Sequence, residues 1–101
     1  MAQTHHIIDE IISDPNVRGG RPVIKGTGFR VSDVVVNRYD NGHSPEASAE
    51  LFGLNLAQVY AALTYYHLNK DEIDVQIRDD EEEAGQLVTE LEQQGKLTRR
   101  E

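Results

Sequence analysis

Lys25, Gly26 and Thr27, preceded by the Gly19-Gly20 pair, are the residue types from which phosphate-binding loops are made. Such a loop needs a glycine, four residues, then Gly-Lys-Ser/Thr running into a helix, so that backbone N–H groups can cradle the phosphates. Here the order is Lys-Gly-Thr, and the extended run Phe29-Arg30-Val31 follows. Nucleotide binding is therefore not expected, and the glycines read as turn formers that tolerate positive φ. The histidines His5, His6, His43 and His67 have no His-Glu-x-x-His spacing, so no metal site is expected. The acidic run 79–83 lacks calcium-loop spacing and reads as a solvated helix face. With no cysteine, disulfides, thiolate metal sites and thiol nucleophiles are excluded. No residue pattern supports an enzyme, and no cofactor is implied.

The remaining chemistry is that of binding. The net charge is −8, unevenly spread: residues 1–69 hold seven acidic and five basic side chains, and residues 70–101 hold eleven and five. A chain this acidic is not a non-specific nucleic-acid binder. Its middle could still meet DNA, because residues 18–38 hold five basic side chains and the single acid Asp33. Arg18, Arg21, Lys25, Arg30 and Arg38 are the candidate phosphate contacts. Gln58 and Tyr65, on the third helix of a helix-turn-helix, are the candidate base contacts, with Ala61, Ala62 and Asn69 beside them. None of these helix residues is Arg or Lys, so a three-helix core that merely has this shape is at least as good a reading.

The elements that must position these residues follow from the chain in order. Ile7, Ile8, Ile11 and Ile12 read as a short strand that ends at the turn Ser13-Asp14-Pro15-Asn16, and Thr4-His5-His6 as a terminus. Pro22-Val23-Ile24 and Phe29-Arg30-Val31 flank Lys25-Gly26-Thr27-Gly28 and predict a hairpin. Ser32 is the expected cap of a first helix, with Val31, Val34, Val35 and Tyr39 on one face and Asn41-Gly42 as its end. Ser44-Pro45-Glu46 opens a second helix that stops at Gly53. Asn55 with Gln58 predicts a capping box on the third, whose stripe is Leu56, Val59, Tyr60, Leu63 and Tyr66. Asn69 with Glu72 resembles another cap. Beyond it an acidic helix carries Ile73, Ile77, Ala84, Leu87, Val88 and Leu91 as a thin apolar stripe, with Gly95 marking its end. A narrow stripe cannot hold a long helix by propensity alone, so it needs a partner surface; Ile73, Ile77, Leu87, Val88 and Leu91 are the candidate partner contacts. The apolar fraction of 38% leaves a dimer as a natural way to complete the burial of a chain of 101 residues.

The residues also carry a resemblance. Ile11, Asp14, Pro15, Val17, Gly19, Gly20, Pro22, Val23, Ile24, Lys25, Gly26, Thr27 and Val31 form one motif, and Gly42, Ser44, Glu46, Val59, Ala62, Leu63, Tyr65 and Tyr66 a second. Together, over residues 11–72, they resemble the prokaryotic domain-of-unknown-function family 433. The resemblance implies a homeodomain-like three-helix core and an antitoxin of a two-component toxin–antitoxin module, with a PIN-like nuclease toxin as partner. Where that family usually places Arg directly after Gly-Thr, this chain has Gly28, and Arg30 follows two positions later.

The expected fold is thus mainly α: a homeodomain-like helix-turn-helix core with a short N-terminal β-hairpin and a C-terminal acidic helix. Residues 1–69 would form the β-arm and three-helix core, and 70–101 the acidic helix. The expected function is that of a cytoplasmic antitoxin, homodimeric, which neutralises a PIN-like nuclease and can bind operator DNA. The alternative is a dimeric helix-turn-helix regulator with no toxin partner.

Overall fold

The computed structural model describes residues 4–5 and 8–94. It is mainly helical, with a small antiparallel sheet at the N-terminal end. Strands β1 (Thr4–His5), β2 (Ile11–Ser13) and β3 (Val23–Ile24) lie in the order β1-β2-β3. Helix α1 (Val31–Val35) runs directly into a π turn (Val36–Asp40), followed by α2 (Pro45–Phe52), α3 (Leu56–Leu68) and α4 (Lys70–Gln93).

The sheet differs from the expected hairpin in two ways. The isoleucine run is strand only from Ile11; residues 8–10 form a turn in which the Ile11 N–H donates to the Ile8 carbonyl at 3.0 Å. Ile7 lies outside the described residues. The glycine turn is present, with the Thr27 N–H on the Ile24 carbonyl at 3.0 Å and the Ile24 N–H on the Phe29 carbonyl at 2.9 Å. Its second arm pairs back onto the first as expected, through the Val23–Arg30 bridge and the Val31 N–H on the Pro22 carbonyl at 2.9 Å, but is too short to count as a strand of its own. The third strand comes instead from Thr4–His5, which pairs with Ser13 and Ile12.

Local chemistry sets most of the helix ends. Ser44 accepts the Ala47 N–H at 3.1 Å ahead of Pro45, and Gly53 closes α2 in the left-handed region at φ 68°. Asn55 and Gln58 exchange bonds of 2.8 and 2.9 Å in a capping box at the start of α3. Two expected caps are not caps. The N-cap of α1 is Arg30, whose backbone N–H is accepted by the Asp33 carboxylate at 2.9 Å; Ser32 lies inside the first turn, 3% exposed. Asn69 turns its side chain back to the Tyr65 carbonyl at 3.1 Å rather than forward to α4. It is the single non-helical residue between the two helices, at φ −135° and ψ 43°. Gly95, the expected end of α4, lies outside the described residues.

The core is built from Ile11 and Ile24 of the sheet, Val31, Val34 and Val35 of α1, Val59, Ala62, Leu63, Tyr65 and Tyr66 of α3, and Ile73 of α4. Tyr39 sits past its edge, 47% exposed, with its ring 5.9 Å from that of Tyr66 and its hydroxyl 2.8 Å from Nε2 of His67. Ile73 is fully buried, whereas residues 81–90 are exposed throughout. The first half of α4 therefore belongs to the core and the second half stands off it. Among the described residues no helix is long and apolar enough to cross a membrane.

This division predicts unequal costs along one helix. Ile73→Ala should lose about 2–5 kcal/mol in urea unfolding, and Leu87→Ala no more than about 0.5 kcal/mol. Equal losses would contradict the assignment of the first half of α4 to the core.

Candidate interaction surface

The acidic helix is fastened to the body by arginines from the glycine-rich segment. Arg18, Gly19 and Gly20 form a tight turn with φ of 50°, 67° and 83°, a left-handed course that the two glycines adopt without strain. The turn delivers Arg21, whose Nη1 donates to Asp80 Oδ2 at 2.8 Å. Arg30 donates to Asp33 at 2.8 Å from Nη2 and stands 3.5 Å from the same Asp80 oxygen through Nη1. Asp80 thus lies between two guanidinium groups. It reaches them because residues 73, 77, 80 and 84 follow i, i+4, i+7, i+11 spacing and share the inner face of α4.

The pair perturbs both titrations. The Arg21 hydrogen bond holds the Asp80 carboxyl below its ordinary value, with burial opposing and the charges of Arg21, Arg30 and Arg18 assisting. Arg21 is raised in turn, chiefly by its bond to Asp80. The side chains are 26% and 34% exposed, which keeps the contribution near the ~0.2–1 kcal/mol of accessible ion pairs.

Between this clamp and α1 the surface opens into a crevice of about 760 Å³. Phe29 and Phe52 form one wall, their rings 4.8 Å apart and tilted by 51°. Val36, Asn37 and Asn41 of the π turn and its end, and Ile77, Asp80, Glu81 and Ala84 of α4, complete it. Gly28 stands at the rim, where an added Cβ would meet nothing within 4 Å and φ is not positive. Neither backbone nor space requires glycine there.

The residues singled out from sequence are dispersed. Arg18 and Lys25 are exposed, and Arg38 stacks its guanidinium 5.2 Å from the Tyr39 ring centre. Arg21 and Arg30 face Asp80 rather than open solvent. Gln58 is engaged in the capping box. Tyr65 is 5% exposed, so it is not presented to a groove; burial, assisted by Glu72, pushes its phenol up to about 12. Ala62 is likewise buried. The exposed side of α3 instead carries Ala57, Tyr60, Thr64, His67 and Leu68. The expected stripe had placed Leu56 and Tyr60 inward, yet they are 41% and 49% exposed. Both the sheet and α4 pack on α3 as well as its helical neighbours, and this rotates the buried side toward Ala62 and Tyr65. On α4, Ile73 is core, Ile77 lines the crevice, Leu91 is half-buried, and Leu87 and Val88 are 56% and 39% exposed. Only these last two form an open apolar edge in the way the stripe predicts.

Asp80 was missed from sequence as a binding group because it lies within an acidic run. The available signal was its position, seven residues after Ile73 on the apolar side of the helix.

The family model described as "Protein of unknown function (DUF433)" matches residues 11–66. A crystal structure of a DUF433 member protein from Anabaena variabilis is 30% identical, with a TM-score of 0.63 and coverage of 68% of each chain. RV2018 from Mycobacterium tuberculosis is 34% identical over 52% of this chain and 24% of that one, with a TM-score of 0.46. No curated protein matches the chain.

The clamp has a pH signature. Because the folded-state pKa of Asp80 is lowered, its stabilisation is present above the ordinary aspartate value of about 3.9 and is lost as pH falls through the lowered value. Asp80→Asn should therefore cost up to about 1 kcal/mol at neutral pH. The difference between the two chains should shrink below pH ~3.9, read by urea unfolding across the acid range. A difference that persists unchanged in acid would exclude the carboxylate charge as its origin.

Proposed function

The chain belongs to the DUF433 family, and on that premise we propose that it is a small protein-binding module of the antitoxin kind, whose acidic helix grips a PIN-like nuclease. The observation that carries this reading is the second half of α4. Residues 81–90 are all exposed, and Leu87 and Val88 form an apolar edge among Glu81, Glu82, Glu83 and Glu90. An amphipathic helix presented in this way suits a groove-binding mode. Its charge suits a surface that is basic because it ordinarily handles RNA.

DNA binding has less support. Arg21 and Arg30 are occupied by Asp80, and the exposed side of α3 bears tyrosine, threonine, histidine and leucine rather than arginine or lysine. Operator contacts would then fall to Arg18, Lys25 and Arg38, doubled in a homodimer. They would show as binding that weakens steeply with salt.

Co-expression with the product of the neighbouring gene should yield a copurifying complex with suppressed nuclease activity. Leu87→Asp should weaken that complex at least about tenfold, the equivalent of about 1.4 kcal/mol, while leaving the thermal midpoint of the free chain unchanged. Failure to copurify, or a variant that binds as tightly as the parent, would sink the reading.

A further inference from the structure

The crevice holds polar groups that neither the clamp nor the partner surface uses. Asn37 is 5% exposed, and its Oδ1 accepts the Ser48 hydroxyl at 2.6 Å. That bond fixes the amide and leaves its NH2 without an acceptor among the described residues. Ser32, 3% exposed and on the same wall, has a hydroxyl with no partner among the described residues. Leaving a buried hydroxyl unpaired costs about 1–3 kcal/mol, and Ser32 Oγ, beside the fixed Asn37 amide, marks a place where a partner is supplied from outside.

The backbone adds an independent sign. The helix between these residues and Asn41 is wound as a π turn, with the Asn41 N–H on the Val36 carbonyl at 3.0 Å. π turns are rare and concentrate at functional sites. The crevice volume of about 760 Å³ lies within the ~300–1,000 Å³ of small-molecule sites.

The lining defines the ligand. Phe29 and Phe52 offer aromatic surface on one side, and Ile77 and Ala84 offer aliphatic surface on the other. Asn37 and Ser32 offer donors at the inner end. The charges are largely matched: Arg30 is met by Asp33 and Asp80, and the lining holds Arg18 and Glu81, one of each sign. We propose that this crevice binds a neutral, flat heteroaromatic molecule bearing a ring carbonyl, which accepts from Asn37 and Ser32 and lies against the two phenylalanines. The site is distinct from the Leu87–Val88 edge, so it stands or falls separately from the partner reading.

The test uses the full chain and three probes: 2-quinolinone, naphthalene and quinoline-2-carboxylate. 2-Quinolinone should bind saturably, one per chain, and shift the side-chain amide resonances of Asn37 in heteronuclear NMR. Naphthalene, which lacks the carbonyl, and the anionic carboxylate should bind at least about tenfold more weakly, a difference of about 1.4 kcal/mol. Ala84→Trp, or Gly28→Trp at the open rim should the first destabilise the helix, should abolish the Asn37 shift. Three results would overturn the proposal: no saturable shift at Asn37 up to the solubility of 2-quinolinone, equal or tighter binding of naphthalene or the carboxylate, or binding undisturbed by both tryptophan variants.

Discussion

The ion pairs that Asp80 makes with Arg21 and Arg30 decide where the acidic helix goes. They are not its main source of stability. Partly exposed pairs contribute about 0.2–1 kcal/mol, while burying one isoleucine contributes about 1.5–3 kcal/mol, and Ile73 is completely buried. Ile73 holds the first turn of α4 on the body, and Asp80, about two turns further on, fixes its direction. Ile77, packed against the core, and the Tyr66 hydroxyl on Asp74 at 2.8 Å hold the helix between these two points. Its inner face is thereby held opposite Phe29 and Phe52, and the crevice exists.

The same arrangement accounts for the charge pattern. A chain of net −8 with most of its acid in the last third would repel its own tail from any acidic surface. The basic residues of the middle segment are divided between two tasks. Arg21 and Arg30 neutralise one carboxylate at the root of the helix, whereas Arg18, Lys25 and Arg38 stay on the outside of the body. Glu82, Glu83 and Glu90 are thereby left on the exposed stretch that follows the crevice. A segment first suggestive of phosphate chemistry proves to be an internal fastening.

Features set by neighbours a few residues apart were legible in the sequence. Ser44 with Pro45, the Asn55–Gln58 capping box and the left-handed Gly53 all follow from short-range chemistry, and each stands where the sequence placed it. Features set across the fold were not. Arg21 meets an acid 59 residues away, which no local pattern encodes. Periodicity placed Leu56, Tyr60 and Tyr66 on one inward face of α3 and Tyr65 outward; packing against the sheet and α4 kept Tyr66, buried Tyr65 and left Tyr60 and Leu56 outside. The thin stripe on α4 is one feature in the sequence, yet the body covers only its first half, at Ile73 and Ile77. Ser32 has the side chain of a cap but lies two residues inside the helix, because Asp33 reaches back to Arg30 and starts the helix earlier.

Asn69 has a mechanical consequence. One non-helical residue separates two helices; α4 is then held at Ile73 and by the Tyr66 hydroxyl on Asp74 at 2.8 Å, and last at Asp80, eleven residues past Asn69 and about 16 Å along its axis. Pivot and stay together make α4 a lever whose far arm is free. Any load on that arm is felt as a change in the gap between α4 and the π turn, and anything wedged in the gap sets the angle of the arm. By thermodynamic reciprocity, whatever a ligand in the gap does to the affinity of a partner on the arm, the partner does to the ligand by the same factor.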